Sequence, residues 1–228
     1  MGDAPAEPTL RTDAGELPLH EYRLAAAGRT WSVLHTGAIL SHDDEQRFLG
    51  EPAERRAPYG VALWPASIAL AHEVLARAAE CPGRSVLELG AGTGLPGIVA
   101  ATLGARVVQT DRHAAALEVC RGNGARNGAT GVAYRLADWR AWDDGARYDW
   151  ILGADILYAT SVHAELRRVL ETALAPGGSI LLADPFRAPS LALLEAMERD
   201  GWRIALAKWR VGEELGEARP VGVYELRR

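Results

Sequence analysis

The stretch "SVLELGAGTGLPGIVAA", Ser85–Ala101, decides the fold, because it joins a strand pattern to an apolar helix pattern through a glycine-rich turn. The turn satisfies the dinucleotide-binding pattern G-x-G-x-x-G at Gly92, Gly94 and Gly97. It also satisfies the pattern E-x-G-x-G-x-G, which begins at Glu88. Glycine lets the backbone turn sharply and approach a ligand without an intervening side chain. The turn therefore predicts a nucleotide-like ligand, and its surroundings must distinguish between the candidates.

Strand patterns and helix patterns alternate along the chain on both sides of this turn. The predicted strands cover residues 85–90, 106–111, 132–139, 148–158, 179–185, 202–211 and 221–228. The predicted helices cover residues 66–79, 97–105, 113–128, 161–174 and 190–201. Such alternation predicts a mainly parallel sheet covered on both faces, and the last two strands, which no helix separates, predict an antiparallel hairpin. We expect an α/β fold with a Rossmann-like, doubly wound seven-strand sheet and an antiparallel C-terminal strand.

The N-terminal part of the chain carries weaker patterns. Residues 1–20 mix proline, acidic and small residues without periodicity, which predicts a mobile tail. Two alternating runs flank Ala27-Gly28-Arg29 and predict a small β-hairpin, followed by a loop-rich cover segment; together they span residues 21–60. The chain has 228 residues, of which 48% are hydrophobic, so we expect a single domain over residues 21–228.

Composition and charge exclude several classes of function. A net charge of −5 argues against a broad basic surface for nucleic acid. No apolar run approaches the roughly 20 residues that a membrane helix needs. Cys81 and Cys120 lack the spacing of a disulfide framework, and the six histidines show no ligand clustering. We therefore expect a cytoplasmic protein without a metal site.

Acidic residues at the ends of three successive strands distinguish the candidate ligands. Glu88, Asp111 and Asp138 lie near the carboxyl ends of these strands, where ligands bind to an open parallel sheet. A carboxylate at Glu88 would repel a pyrophosphate but attract the sulfonium and amino group of S-adenosylmethionine. Asp111 suits either ligand, because dinucleotide sites also place an acid there for a ribose hydroxyl. Asp138 and Trp139 suit the amino group and the ring face of an adenine.

The order and spacing of several motifs resemble a known enzyme family. The segments "VLELGAGTGLPGIVAA", "VVQTD", "LADW" and "APGGSILLAD" resemble the seven-strand S-adenosylmethionine-dependent methyltransferases. The segments "YGVALWPASIALA" and "ILGADILY" look like the Family 16 protein-lysine methyltransferases, a group with nicotinamide N-methyltransferase-like relatives. The resemblance covers about residues 58–186. It implies a methyltransferase domain whose cofactor is S-adenosylmethionine.

The resemblance also implies roles for particular residues. The implied cofactor contacts are Trp64, Gly90, Ala91, Gly92, Asp111, Trp139 and Ala154. To these we add Glu88, Gly94 and Asp138 from the turn and the strand ends. Asp155 and Tyr158 would form a D-x-x-Y pair at the methyl-transfer site. The implied acceptor is a protein with an accessible lysine or, alternatively, a small amine.

Other interpretations stay open on the residues alone. An NAD-dependent reductase could use the same turn and Asp111, although we find no second substrate domain. A non-catalytic adaptor could keep the fold and bind a partner. Asp155 could cap the next helix while Tyr158 packs on the sheet. Finally, Asp184-Pro185-Phe186 is similar to a motif of enzymes that methylate nucleic-acid amino groups, but here it follows a later strand than that motif does.

Overall fold

The fold is known from a computed structural model, which describes residues 8–12, 15–39, 59–216 and 218–228. The strands among these residues are β1 (Thr9–Thr12), β2 (Gly15–Pro18), β3 (His20–Ala26), β4 (Arg29–His35), β5 (Ser85–Leu89), β6 (Arg106–Asp111), β7 (Val132–Leu136), β8 (Tyr148–Ala154), β9 (Leu174–Asp184), β10 (Arg203–Val211) and β11 (Arg219–Arg227). The α-helices are α1 (Pro65–Ala76), α2 (Leu95–Thr102), α3 (Ala114–Arg126), α4 (His163–Ala173) and α5 (Ala188–Arg199).

A seven-stranded sheet forms the centre of the molecule, in the order β10-β11-β9-β8-β5-β6-β7. The neighbours from β9 to β7 pair in parallel, while β11 pairs antiparallel with both β9 and β10. This confirms the predicted sheet with its antiparallel C-terminal strand. Several strand boundaries differ from the prediction. Strand β7 ends at Leu136 rather than Trp139, and β8 ends at Ala154 rather than Tyr158. Strand β9 begins at Leu174 rather than Ser179, because Leu174 already pairs with Tyr148 across a register shift.

Both faces of the central strands are buried, which explains their continuous apolar composition. Successive side chains of a strand point to opposite faces. In β8, Trp150 and Leu152 accordingly pack in the core that contains α1 and α2, whereas Ile151 packs in the core that contains α4 and α5. Because β5, β6, β7, β8 and β9 run parallel, they end at one carboxyl edge of the sheet, where the loops that follow them meet.

The N-terminal region departs from the expected tail at residues 9–12 and 15–18. Strands β1 and β2 pair antiparallel there, and Leu10 is buried against Val61, Ala116 and Val119. This apolar contact between distant segments orders a stretch whose local sequence has no periodicity. The predicted hairpin around residues 27–29 is confirmed as β3 and β4. Most of the predicted cover segment, residues 40–58, lies outside the described residues.

Two asparagine side chains, Asn123 in α3 and Asn127 directly after it, hold the β3–β4 hairpin. Asn123 accepts a hydrogen bond from the backbone N–H of Leu34 at 2.7 Å and donates to the Leu34 carbonyl at 3.0 Å. Asn127 makes the equivalent pair of bonds with Ser32, at 2.8 and 2.7 Å. The two amides thus pair with backbone N–H and carbonyl groups at the edge of β4.

Within the described residues, no helix is long and apolar enough to cross a membrane.

Candidate functional site

The glycine turn connects β5 to α2 at the carboxyl edge of the sheet. Gly90 and Gly92 have φ angles of 60° and 56°, a left-handed conformation that residues with a β-carbon rarely adopt. A β-carbon on Gly92 would also lie 2.6 Å from the carbonyl oxygen of Gly60, which belongs to the segment before α1. Position 92 therefore requires glycine for two reasons: its backbone is left-handed, and the Gly60 carbonyl oxygen leaves no room for a β-carbon.

Glu88 lies in the wall of the cleft and bonds to the turn. Its Oε2 accepts hydrogen bonds from Gln109 Nε2 at 2.6 Å and from the Gly97 backbone N–H at 3.2 Å. The side chain is 2% exposed, and this burial raises its pKa to about 7. Gln109 also donates to the Gly94 carbonyl at 2.8 Å. Glu88 thus supports the turn, and its attraction for a cofactor cation remains a prediction.

Asp111 is the last residue of β6, as predicted, whereas Asp138 lies two residues beyond the end of β7. Asp111 is buried and accepts hydrogen bonds from the backbone N–H groups of Gly92 at 3.1 Å and His113 at 2.9 Å. Burial raises the pKa of Asp111. Asp138 is exposed and accepts from the backbone N–H of Arg140 at 2.9 Å. Both carboxylates border the same cleft, although they differ in their contact with water.

A cleft of about 440 Å³ opens over this edge of the sheet. The predicted site residues that line it are Trp64, Glu88, Gly90, Ala91, Gly92, Asp111, Asp138, Trp139, Ala154, Asp155 and Tyr158. Gly94 was predicted to contact the ligand, but it does not line the cleft. It precedes α2 instead, where a β-carbon would collide with the Cys120 sulfur. All the predicted site residues other than Gly94 therefore line the same cleft.

Asp155 leaves β8 in a left-handed conformation, with φ of 56°, and its backbone N–H donates to the Ala183 carbonyl at 3.0 Å. Its carboxylate forms an ion pair with the guanidinium of Arg187, although only 5% of the residue is exposed. Arg187 was not among the predicted site residues. The available signal was positional: Arg187 follows β9, and β9 lies next to β8 in the sheet.

Tyr158 lies at the mouth of the cleft, with 46% of the residue exposed. Partial desolvation raises the pKa of its hydroxyl. The chain from residue 155 to 159 is not helical, so Asp155 and Tyr158 reach one cleft without a helical turn between them. Helix α4 begins only at His163, which is too distant for Asp155 to cap it. The helix-cap interpretation of Asp155 is therefore wrong.

Trp64 closes the cleft on the side of α1. Trp64 directly precedes the first residue of that helix and is 8% exposed. The Arg187 guanidinium lies 6.0 Å from the centroid of the Trp64 ring. Among the residues that the structure describes, no group of histidine, cysteine and acidic side chains is arranged to hold a metal ion. The cleft is thus bounded by a ring on one side and by strand-end carboxylates on the other.

A family model described as lysine methyltransferase matches residues 46–191. The chain belongs to this lysine methyltransferase family. The protein N-lysine methyltransferase METTL21A of Xenopus tropicalis is 37% identical to this chain, over 56% of this chain and 62% of its own length. A protein-L-isoaspartate O-methyltransferase of Methylorubrum populi is 36% identical over 63% of this chain and 59% of its own length. The matches thus span less than two thirds of either relative.

The family's sheet also recurs in solved structures of low sequence identity. The 16S rRNA N2 G1207 methyltransferase of T. thermophilus, solved with AdoMet and guanosine, superposes with a TM-score of 0.61 at 20% identity. The superposition covers all of this chain and 53% of that protein. At this identity the likeness shows a shared methyltransferase fold, and it does not identify the acceptor.

Proposed function

We propose that the chain is an S-adenosylmethionine-dependent methyltransferase that acts on a lysine side chain of a protein. One observation carries the proposal. A single cleft joins the glycine turn and Asp111, which suit a nucleoside, to Asp155 and Tyr158, which suit an amine. Family membership and the lysine methyltransferase relative support the same reaction.

The cleft fits S-adenosylmethionine in shape and in polarity. Gly90 and Gly92 line the cleft and carry no side chain, so a nucleoside can approach their backbone from the cleft. Asp111 offers carboxylate oxygens to ribose hydroxyls, and Trp139, whose ring lies near Gly90, offers a flat face to adenine. The cleft volume falls within the range of about 300–1,000 Å³ that is typical of small-molecule sites. When bound, the cofactor supplies an electrophilic methyl group on a positively charged sulfur.

The residues of the chain would position the acceptor nitrogen. Asp155 would hold the amine, and the Tyr158 hydroxyl would set its direction of approach, because displacement needs the nitrogen aligned behind the methyl carbon at roughly 3 Å. The exposure of Tyr158 suits an acceptor that reaches in from a larger molecule, such as a lysine of a protein. A small amine remains the alternative acceptor.

A cofactor comparison tests the first half of the proposal. Because carboxylates line the cleft at or near four strand ends, we expect calorimetry to detect binding of S-adenosylmethionine and S-adenosylhomocysteine but not of NADH. Binding of NADH that equals or exceeds that of S-adenosylmethionine would favour the reductase interpretation.

Location in the cytoplasm also remains a prediction, which fractionation of the source cell would check.

Variants of the acceptor side test the second half. Asp155→Ala and Tyr158→Phe should leave cofactor binding nearly unchanged and lower methyl transfer about 10²-fold, the cost of a misplacement near 1 Å. The assay measures label transferred from S-adenosylmethionine per folded molecule. Unchanged turnover per folded molecule in both variants would remove Asp155 and Tyr158 from the transfer site.

A further inference from the structure

Arg187 pairs with Asp155, which lines the acceptor side of the cleft, yet neither family membership nor the motif assigns Arg187 a role. Its guanidinium lies between two acidic side chains, Asp155 and Asp184, and beside the ring of Trp64. The Arg187 side chain is 19% exposed, whereas those of Asp155 and Asp184 are 3% and 0% exposed. Arg187 is therefore held among groups that are almost entirely withdrawn from water.

The position of Arg187 is fixed from behind by Asp184. The Asp184 carboxylate accepts hydrogen bonds from the Arg187 backbone N–H at 2.7 Å and from the Ser190 hydroxyl at 2.6 Å. Its second oxygen lies 3.4 Å from Arg187 Nη1. These bonds tie the segment after β9 to the start of α5, so the guanidinium is directed towards Asp155 by a rigid support.

A lone Asp155 carboxylate would work against the proposed reaction. A lysine amine has an unperturbed pKa of about 10.4, and only its neutral form can attack a methyl group. A nearby carboxylate stabilises the ammonium form and raises that pKa further. A carboxylate whose charge is already balanced by a guanidinium has a much smaller effect, while its oxygens can still accept a hydrogen bond from the amine.

We propose that Arg187 is a positioning residue that holds the Asp155 carboxylate at the cleft and offsets its charge, so that an amine placed there can lose its proton to solvent near neutral pH. This inference rests on the proposed function, because it concerns the same acceptor. Asp184, at the end of β9, faces Arg187 from behind. Other ionisable groups line the cleft: Glu88 on β5, Asp111, Arg112 and His113 around the end of β6, and Tyr158 after β8. Asp138 and Arg140 line it after β7. A change at Arg187 leaves all of these in place.

The direct test is the binding of n-butylamine, which reproduces the end of a lysine side chain, to protein saturated with S-adenosylhomocysteine. Followed by NMR titration at pH 7, where the amine is protonated, Arg187→Gln should bind n-butylammonium at least fivefold more tightly than the wild type. Arg187→Lys should behave like the wild type, because it keeps the charge. The matched control is Arg167→Gln, which removes an ion pair of 2.7 Å with Asp200 between α4 and α5 and should leave amine affinity unchanged.

The double variant Asp155→Asn with Arg187→Gln identifies the charge responsible. It should lose the gain in affinity that Arg187→Gln alone produces, because the Asp155 carboxylate is gone while the other carboxylates, Asp184 included, are the same in both variants. Equal affinity of the wild type and Arg187→Gln at pH 7 would overturn the proposal. A gain in affinity that persists in the double variant would also overturn it.

A pH profile separates charge cancellation from a merely structural role. On a lysine-bearing acceptor, kcat of Arg187→Gln should fall about tenfold at pH 7 and approach the wild-type value at pH 10, since the pKa of the bound amine rises by about one unit. A loss of kcat by the same factor at every pH would contradict the proposal. If no acceptor is methylated by the wild type, the proposed function fails, whereas the amine titration still decides the role of Arg187.

Discussion

Gly92 is under two constraints, one from its own backbone and one from its neighbour Gly60. Its φ of 56° and the distance of 2.6 Å from a new β-carbon to the Gly60 carbonyl oxygen mean that Gly92→Ala must shift the turn. We expect this variant to lose detectable binding of S-adenosylmethionine in calorimetry. The matched control is Gly83→Ala, because Gly83 has a similar φ of 78° but open space around it. That control should lose about 1 kcal/mol of stability and keep its affinity.

If Gly92→Ala and Gly83→Ala bind S-adenosylmethionine equally well, the turn serves only to connect β5 to α2. In that case the cofactor would have to bind elsewhere in the cleft.

Glu88 links the same turn to pH. Burial raises its pKa from 4.5 to about 7, so its contribution to stability is fully present below pH 4.5 and is lost as the pH rises through 7. Glu88→Gln cannot ionise and avoids this loss. Between pH 5 and pH 8, the free energy of unfolding of the variant should therefore rise relative to that of the wild type by about 2–3 kcal/mol. Urea unfolding at several pH values measures this difference, and parallel pH curves for the two proteins would show that Glu88 titrates normally.

At the scale of elements, the N-terminal hairpin is coupled to the glycine turn through one side chain. Besides its two bonds to Leu34, Asn123 donates to the Thr93 carbonyl at 2.9 Å, and Thr93 lies within the turn. Asn127 bonds to Ser32 and to the Asn123 carbonyl but not to the turn. The two asparagines therefore hold the same hairpin and differ in their contact with the cofactor side.

Asn123→Ala should lower both stability and cofactor affinity, while Asn127→Ala should lower stability alone. Each variant loses several partly buried hydrogen bonds, for which we expect a destabilisation of about 2–3 kcal/mol in urea unfolding. Calorimetry with S-adenosylhomocysteine then compares the two variants at a temperature where both are folded. Equal affinities would mean that the bond to Thr93 does not position the turn.

The order of elements could be predicted from sequence, and several of their contacts could not. Alternating periodicity identified the strands and helices because each element shows its own pattern locally. The β1–β2 hairpin was missed because it depends on Leu10 meeting Val61 and Ala116, which lie far away in the chain. The role of Arg187 beside Asp155 was missed for a related reason: its position after β9 can be read from the sequence, but its contact with Asp155 depends on the pairing of β8 with β9, which no local pattern shows.

At the scale of the whole molecule, the parallel arrangement explains why so many of the predicted residues meet. Glu88, Asp111, Asp138 and Asp155 lie at or near the ends of β5, β6, β7 and β8, which are neighbours in the sheet. Parallel strands deliver their carboxyl ends to one edge, and ligands bind there in open α/β sheets. Residues that are far apart in the chain thus line one cleft, in which the proposed cofactor side and acceptor side are adjacent.

The central claim is that this cleft transfers methyl groups from S-adenosylmethionine to protein lysine. The most direct measurement incubates the protein with methyl-labelled S-adenosylmethionine and extract of the source cell, separates proteins, nucleic acids and small molecules, and hydrolyses the proteins to identify the labelled residue. The account predicts label in methyllysine, which withstands base, and its loss with Asp155→Ala. Label confined to nucleic acid, to small molecules or to base-labile methyl esters would contradict it.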